Sequence, residues 1–227
     1  WKSVGEDGFL FNTKNIKIKT EADHFVITGT QNNEKMKIKA RKVITTTGSH
    51  TLRRMLPFAD DKLLLDIEKL RYARVMQVVV GFNKWDGMAL DGFGGLIPFR
   101  EKRDILGVLF LSALLSSRAP AGGALCSVFV GGIRREDLSD KSDDEIKTIV
   151  KREFSDVMKL KEFTPDLFKI IRYNYAIPQY GIESQHKLEA IEKLQLEYKG
   201  LIIGGNIRDG IGMADRIKQG IHLADSV

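Results

Sequence analysis

Residues 201–215 restrict the fold more than any other stretch of the chain. Leu201, Ile202 and Ile203 make a short apolar run, Gly204, Gly205 and Asn206 interrupt it, and Gly210 and Gly212 lead into Met213. Beyond that point Met213, Ile217, Ile221 and Ala224 recur at helical spacing. The pattern predicts a buried strand, a glycine-rich loop, and a helix whose apolar stripe at 213, 217, 221 and 224 faces a core. Unpaired N–H groups and the positive end of the helix dipole favour a phosphate or an electron-rich ring oxygen at such a terminus. Asp215 stands where a dinucleotide fingerprint needs a third small residue, and no Gly-Lys-Ser/Thr of a P-loop is present. Taken alone, the stretch fits either a ligand-facing loop or an ordinary strand-to-helix connection.

The remaining chain reads as α+β. From Lys2 to Val43, Ile16 and Ile18 alternate with lysines, Phe25 to Ile27 form a second run, and Met36 and Ile38 alternate with lysines again. That predicts a three-stranded ribbon turning at Asn32-Asn33, followed by a β-branched strand from Val43 to Thr47 and a short helix capped by Ser49. A helix is expected over 60–70, with strands over 75–82, 106–115 and 125–130. Ser142-Asp143-Asp144-Glu145 is a capping box opening a helix with Ile146, Ile149, Val150, Phe154 and Val157 on one side. A strand over 170–175 ends at Pro178, and a helix over 184–198 turns Leu188, Ile191 and Leu194 inward.

Composition excludes several classes. No apolar run approaches the length of a membrane span, and no basic-then-apolar leader opens the sequence. Cys126 is the only cysteine, so a disulfide framework is unsupported and a reducing, cytoplasmic setting is expected. The net charge is +6, but lysines and acids interleave along the chain. The expected surface is therefore mixed and solvated, and nucleic acid is not an expected partner. His24, His50, His186 and His222 are scattered, so no metal site is expected, and no Gly-x-Ser-x-Gly elbow exists. Cys126, in an apolar strand, reads as a small core residue. Catalysis by side chains alone is a poor fit, whereas a redox cofactor leaves the protein only binding and orientation to perform.

Four stretches in order carry a family likeness. Gly92-Phe93-Gly94-Gly95-Leu96-Ile97-Pro98, then Arg118-Ala119-Pro120 with Phe129-Val130-Gly131-Gly132-Ile133-Arg134, then Ile177-Pro178-Gln179-Tyr180, and finally the 201–215 stretch resemble elements of the protoporphyrinogen oxidases. These are FAD-dependent enzymes of the amine oxidase superfamily, and the likeness covers nearly the whole chain, most weakly before Ala40. The resemblance implies a mixed, largely antiparallel sheet with flanking helices, the substrate-binding region of a p-hydroxybenzoate hydroxylase-like flavoenzyme, plus the C-terminal strand and helix of an FAD-binding domain. It places residues 1–50 and 199–227 with the FAD-binding domain and 51–198 with the substrate. It implies oxidation of protoporphyrinogen IX, or of coproporphyrinogen III, by hydride transfer to flavin over three cycles, with oxygen as acceptor.

Carried over residue by residue, the likeness sets Gly205, Asn206, Gly210, Gly212, Met213 and Asp215 near the flavin and Asn15 beside its adenine, where the family tends to have valine. Phe93, Gly94 and Leu96 become the slot for the macrocycle, while Arg118 and Arg172 are cations within the same region that no motif assigns to the propionates. Nothing before Val43 resembles the strand, Gly-x-Gly-x-x-Gly and helix that hold the flavin diphosphate. The chain is therefore expected to be an incomplete fragment, weak in FAD binding and inactive alone. The expected partners are the porphyrinogen, the N-terminal half of the same enzyme, an anionic membrane surface and a second copy of the chain. The rivals are another flavin oxidase of the superfamily and a non-catalytic tetrapyrrole or partner-binding module.

Overall fold

Alternating isoleucine and lysine resolve into a ribbon of β1 (Thr13–Glu21), β2 (His24–Gln31) and β3 (Glu34–Ala40), antiparallel in that order. The computed structural model describes residue 5 and residues 8–225, so the Lys2 end of the expected ribbon lies outside them. Asn32 and Asn33 both take left-handed backbone, with φ of 49° and 70°, the two-residue turn that matches the twist of the flanking strands. One face of the ribbon carries Ile18, Phe25 and Ile27. Their core also contains Leu52 of α1 (Ser49–Met55), Leu64 and Ile67 of α2 (Asp61–Glu68), and Ile191 and Leu194 of α5 (Ser184–Glu197). The lysines stand on the other face, so the charges that interleave along the chain are segregated across the sheet.

Two compact units result, residues 1–71 with 178–227, and residues 72–177. They cut the chain at points other than 50 and 198, because α1, α2 and α5 share the ribbon's core. In the first unit, Gly48 rather than Ser49 takes the N-cap position of α1. On α5, Lys187 and Ala190 are buried beside Ile191 and Leu194, while Leu188 is only half-buried. Strands β4 (Val43–Thr45) and β10 (Leu201–Ile203) pair in parallel, Ile44 opposite Ile202. Parallel sheets are normally covered on both faces, yet Ile44 is exposed. The final helix, α6 (Met213–Asp225), reverses the expected orientation: Met213, Ile217 and Ile221 are 81%, 63% and 61% exposed, and the buried residue is Gln219.

The second unit is built on a sheet in the order β6 (Gly94–Leu96), β7 (Ile105–Phe110), β8 (Ala124–Gly131), β5 (Arg71–Phe82), β9 (Leu167–Gln179). The pairs β6·β7, β7·β8 and β5·β8 are antiparallel. Strand β7 stops at Phe110, five residues short of Leu115, because Leu111–Leu114 turn into a short helix, α3. Pro178 lies inside β9 instead of ending it, which an edge strand tolerates since no ladder N–H is needed there. Met76, Val78 and Val80 of β5 and Cys126, Val128 and Val130 of β8 share a core with Ile146, Val150 and Phe154 of α4 (Asp143–Met158). Burial pushes the Cys126 thiol up to about 12, as suits an inert core residue.

The capping box of α4 forms as its sequence dictates: Ser142 Oγ accepts from Glu145 N at 3.3 Å, and Glu145 Oε2 accepts from Ser142 N at 2.9 Å. Lys141, then Ser142, lowers the Glu145 carboxyl from its ordinary 4.5 to about 2. The folded pKa lies below the unfolded one. Its contribution is therefore present above pH 4.5 and lost as pH falls through about 2. Glu145→Gln should lessen the fall of thermal midpoint across that window; an unchanged slope would mean that the cap charge does not matter.

Candidate functional site

Strand β10 ends in a loop, residues 204–212, whose carbonyl groups turn inward onto one cation. Arg216 Nη2 donates to the carbonyl oxygens of Arg208, Asp209 and Gly210 at 3.0, 2.7 and 2.8 Å, and its Nη1 donates to Gln219 Oε1 at 2.8 Å. Gln219 Oε1 also accepts from Gly205 N at 2.8 Å, while Gln219 Nε2 donates to Asp209 Oδ2 at 2.7 Å. Burial of Gln219 follows from this: it ties both ends of the loop to α6. From the other side Tyr180 places its hydroxyl 2.7 Å from Asn206 O and 3.0 Å from Gly210 O. Lys187 sits 4.4 Å above the Tyr180 ring, and burial, followed by Arg208, pushes its pKa down.

Gly205 has φ +86°, and a Cβ there would meet Thr46 O at 2.6 Å; both conditions demand glycine. Asp215 accepts the Gly212 N–H at 3.0 Å, which removes that donor from any ligand. Met213 and Ala214 lie in the first turn, where N–H groups have no intrahelical acceptor. Asp215 already supplies a carboxylate at this terminus, so a phosphate would meet like charge while an uncharged, electron-rich ring edge would not. Asn15, in the same unit, has φ +55° at a register break between Lys14 and Lys17 of β1. A β-branched valine disfavours that conformation and asparagine accepts it.

Phe93, Gly94 and Leu96 belong to the second unit. Phe93 and Leu96 are 73% and 83% exposed. A Cβ on Gly94 would clash with Val108 O of the neighbouring strand, so the missing side chain gives room to β7. Register sets Leu96 opposite Gly107, Gly107 opposite Phe129, and Phe129 opposite Gln77. Opposed residues share a face, and at ordinary strand spacing the row spans about 14 Å. A polar pair interrupts this apolar face: Gln77 Nε2 donates to Ser127 Oγ at 2.6 Å, and Tyr173 Oη donates to Gln77 Oε1 at 3.4 Å. Arg118 is exposed. Arg172 is committed elsewhere, donating to Asp143 Oδ1 at 2.5 Å and to the carbonyls of Lys141 and Ser139 at 2.9 and 3.2 Å. It braces the entrance to α4 and is not a cation held in reserve.

Tyr180, Arg216, Gln219 and Gln77 are the polar residues that sequence reading passed over as organisers. Only Tyr180 carried a signal, its place in Ile-Pro-Gln-Tyr. Among the described residues no group of three or more His, Cys, Asp or Glu side chains is placed to hold a metal, and no helix is long and apolar enough to cross a membrane.

Comparison with known proteins decides the family, since the model described as flavin containing amine oxidoreductase matches residues 1–227. The chain belongs to that family. Among the flavin containing amine oxidoreductases, mitochondrial protoporphyrinogen oxidase of Nicotiana tabacum is 31% identical over 169 residues, covering 73% of this chain and 33% of that protein. Coproporphyrinogen III oxidase of Bacillus subtilis is 26% identical over 156 residues, 68% of this chain and 33% of that one. The chain thus spans about a third of the length of these relatives. A crystal structure from Exiguobacterium sp. 255-15, named as a candidate protoporphyrinogen oxidase, superposes with a TM-score of 0.75 at 19% identity, over 94% of this chain and 46% of that one. The fold is a mixed arrangement of sheets and helices of the kind found in flavin amine oxidoreductases.

Proposed function

We propose that the chain is a portion of an FAD-dependent oxidase that converts protoporphyrinogen IX to protoporphyrin IX. The observation that carries this reading is the 201–225 strand, loop and helix in a chain with relatives named as porphyrinogen oxidases. A bound flavin supplies the hydride acceptor for three successive oxidations of the macrocycle, with oxygen as final acceptor. The chain's own residues bind and orient. The Met213 and Ala214 N–H groups would hold the electron-rich edge of the ring, the inward-turned carbonyls would keep negative dipoles away from it, and the ribbon near Asn15 would hold the adenine. The row from Leu96 to Gln77, with Phe93 beside it, supplies the broad apolar surface a tetrapyrrole requires.

In this reading the first unit belongs to an FAD-binding domain, and the second is the substrate sheet of a p-hydroxybenzoate hydroxylase-like enzyme. The exposed stripe of α6, the uncovered β4·β10 pair and the open cavity of 930 Å³ lined by Ile202, Lys199, Lys218 and Leu223 are where the segment bearing a Gly-x-Gly-x-x-Gly fingerprint packs. The test is to supply porphyrinogen to the full-length gene product loaded with FAD. Soret absorbance should develop, and Phe93→Ala should raise KM about tenfold with kcat little changed, the size expected for one large apolar contact. Flavin reduction by an amine, with no Soret band from porphyrinogen, would assign the chain to a different oxidase of the family.

A further inference from the structure

The sheet of the second unit has α4 on one side and an apolar face on the other, and contacts tell the two sides of β9 apart. Phe168 and Ile170 pack against the core that α4 covers, and Arg172 Nη1 donates to Met76 Sδ of that core at 3.1 Å. Alternation along a strand turns Leu167, Lys169, Ile171 and Tyr173 to the opposite side. Two contacts agree: a Cβ on Gly81 would meet Leu167 Cβ at 3.1 Å, and Tyr173 Oη reaches Gln77 Oε1. As β9 advances from Leu167 to Arg172, its neighbours on β5 run back from Gly81 to Met76, so Lys169 stands level with Val79. Val79 opposes Ser127, which opposes Leu109. Residues 73–81 of β5, 94–96 of β6, 107–109 of β7 and 125–131 of β8 contribute no charged side chain to this face. Lys169 is exposed, and its ammonium has no ion pair or hydrogen bond among the described residues. A single cation thus borders an apolar plane.

We propose that Lys169 binds a carboxylate of the macrocycle. This deepens the reaction proposed above and rests on it. A flat ring laid along the row from Leu96 to Gln77 runs toward β9, which lies about 5 Å beyond β5. Lys169 stands one row from that line, and its flexible stem reaches across while staying on the apolar plane. The ring would strip water from one side of the ammonium. A neutral rim leaves that cost uncompensated, whereas a carboxylate offsets it with a charge-assisted hydrogen bond. The face therefore suits an apolar ring with an acid at its rim better than an apolar ring alone. The arginines of the region do not fill this role. Arg172 lies on the α4 side, held by Asp143 and by two carbonyls, and Arg118 lies outside the strands. Asp166, the acid nearest to Lys169 in sequence, accepts from Asn83 N at 2.7 Å, which leaves Lys169 for an anion from outside the chain.

The test uses the full-length gene product loaded with FAD, with protoporphyrinogen IX and its dimethyl ester as paired substrates and Soret absorbance as the readout. Lys169→Met should raise KM for the diacid roughly tenfold, the scale of one hydrogen bond to a charged group, and leave KM for the ester unchanged. Lys169→Arg should keep KM for the diacid within about threefold of the parent, since the charge is retained. Lys161→Met, which removes a charge elsewhere in the same unit, should change neither constant; circular dichroism and bound flavin verify that each variant folds. An equal rise for both substrates would make Lys169 a packing residue and overturn the proposal. So would a rise matched by Lys161→Met, which assigns the effect to net charge, or an unchanged KM for the diacid. Porphyrin formation by the parent alongside any of these results leaves the proposed reaction standing, whereas its absence overturns the reaction and the role of Lys169 together.

Discussion

Arg216→Met should lower the unfolding free energy by about 3 kcal/mol, the scale of removing one charged donor from several partly buried acceptors. Three carbonyl oxygens and Gln219 depend on this guanidinium, and methionine returns similar volume with none of the donors. Arg216→Lys should recover less than half of the loss, because an ammonium reproduces the charge without the planar fork. Urea unfolding followed by circular dichroism measures both. The α6 terminus would lose its fixed geometry too, so on the function proposed above flavin affinity should fall with stability. A loop that keeps its stability in Arg216→Met would show that Tyr180 and Gln219 suffice to hold it.

Phe154→Ala should cost about 3–5 kcal/mol, as expected when a large aromatic is deleted from a closed core. The ring is fully buried, with Phe82, Trp85 and Phe163 at centroid distances of 6.2 Å each. Trp85 touches this cluster, so its fluorescence against urea reports the unit directly. Phe154→Leu should lose roughly 1.5 kcal/mol or less, since most of the volume is retained. If both substitutions shift the midpoint equally, shape rather than volume decides the packing.

Elements governed by local chemistry were legible in the sequence. The Ser142 to Glu145 box, the Asn32-Asn33 turn and the alternation in the ribbon each specify backbone through residues a few positions apart. Elements whose meaning depends on what covers them were not. Periodicity finds the stripe of Met213, Ile217 and Ile221 but cannot say that it lies open, nor that Gln219 takes the interior because a loop of inward carbonyls needs a donor and an acceptor there. Lys187 looks like a surface residue until the Tyr180 ring is placed beneath it. Reading charge along the chain averaged away the segregation that strand pairing produces across it. Of the residues in the 204–212 loop, the glycines were legible as backbone requirements, while the side chains that hold their geometry come from an adjacent helix and a preceding motif.

The sheet of the second unit also answers a hazard that its open face creates. One edge is β6, three residues long, too short to template another chain. The opposite edge, β9, is thirteen residues long and carries exposed Leu167, Tyr173, Tyr175 and Ile177, a run that invites edge-to-edge pairing. Pro178 withholds an N–H near its end, and Lys169 puts charge along it. The sheet is thereby guarded against strand addition at its margins, and its middle can carry apolar side chains around the Gln77 and Ser127 pair.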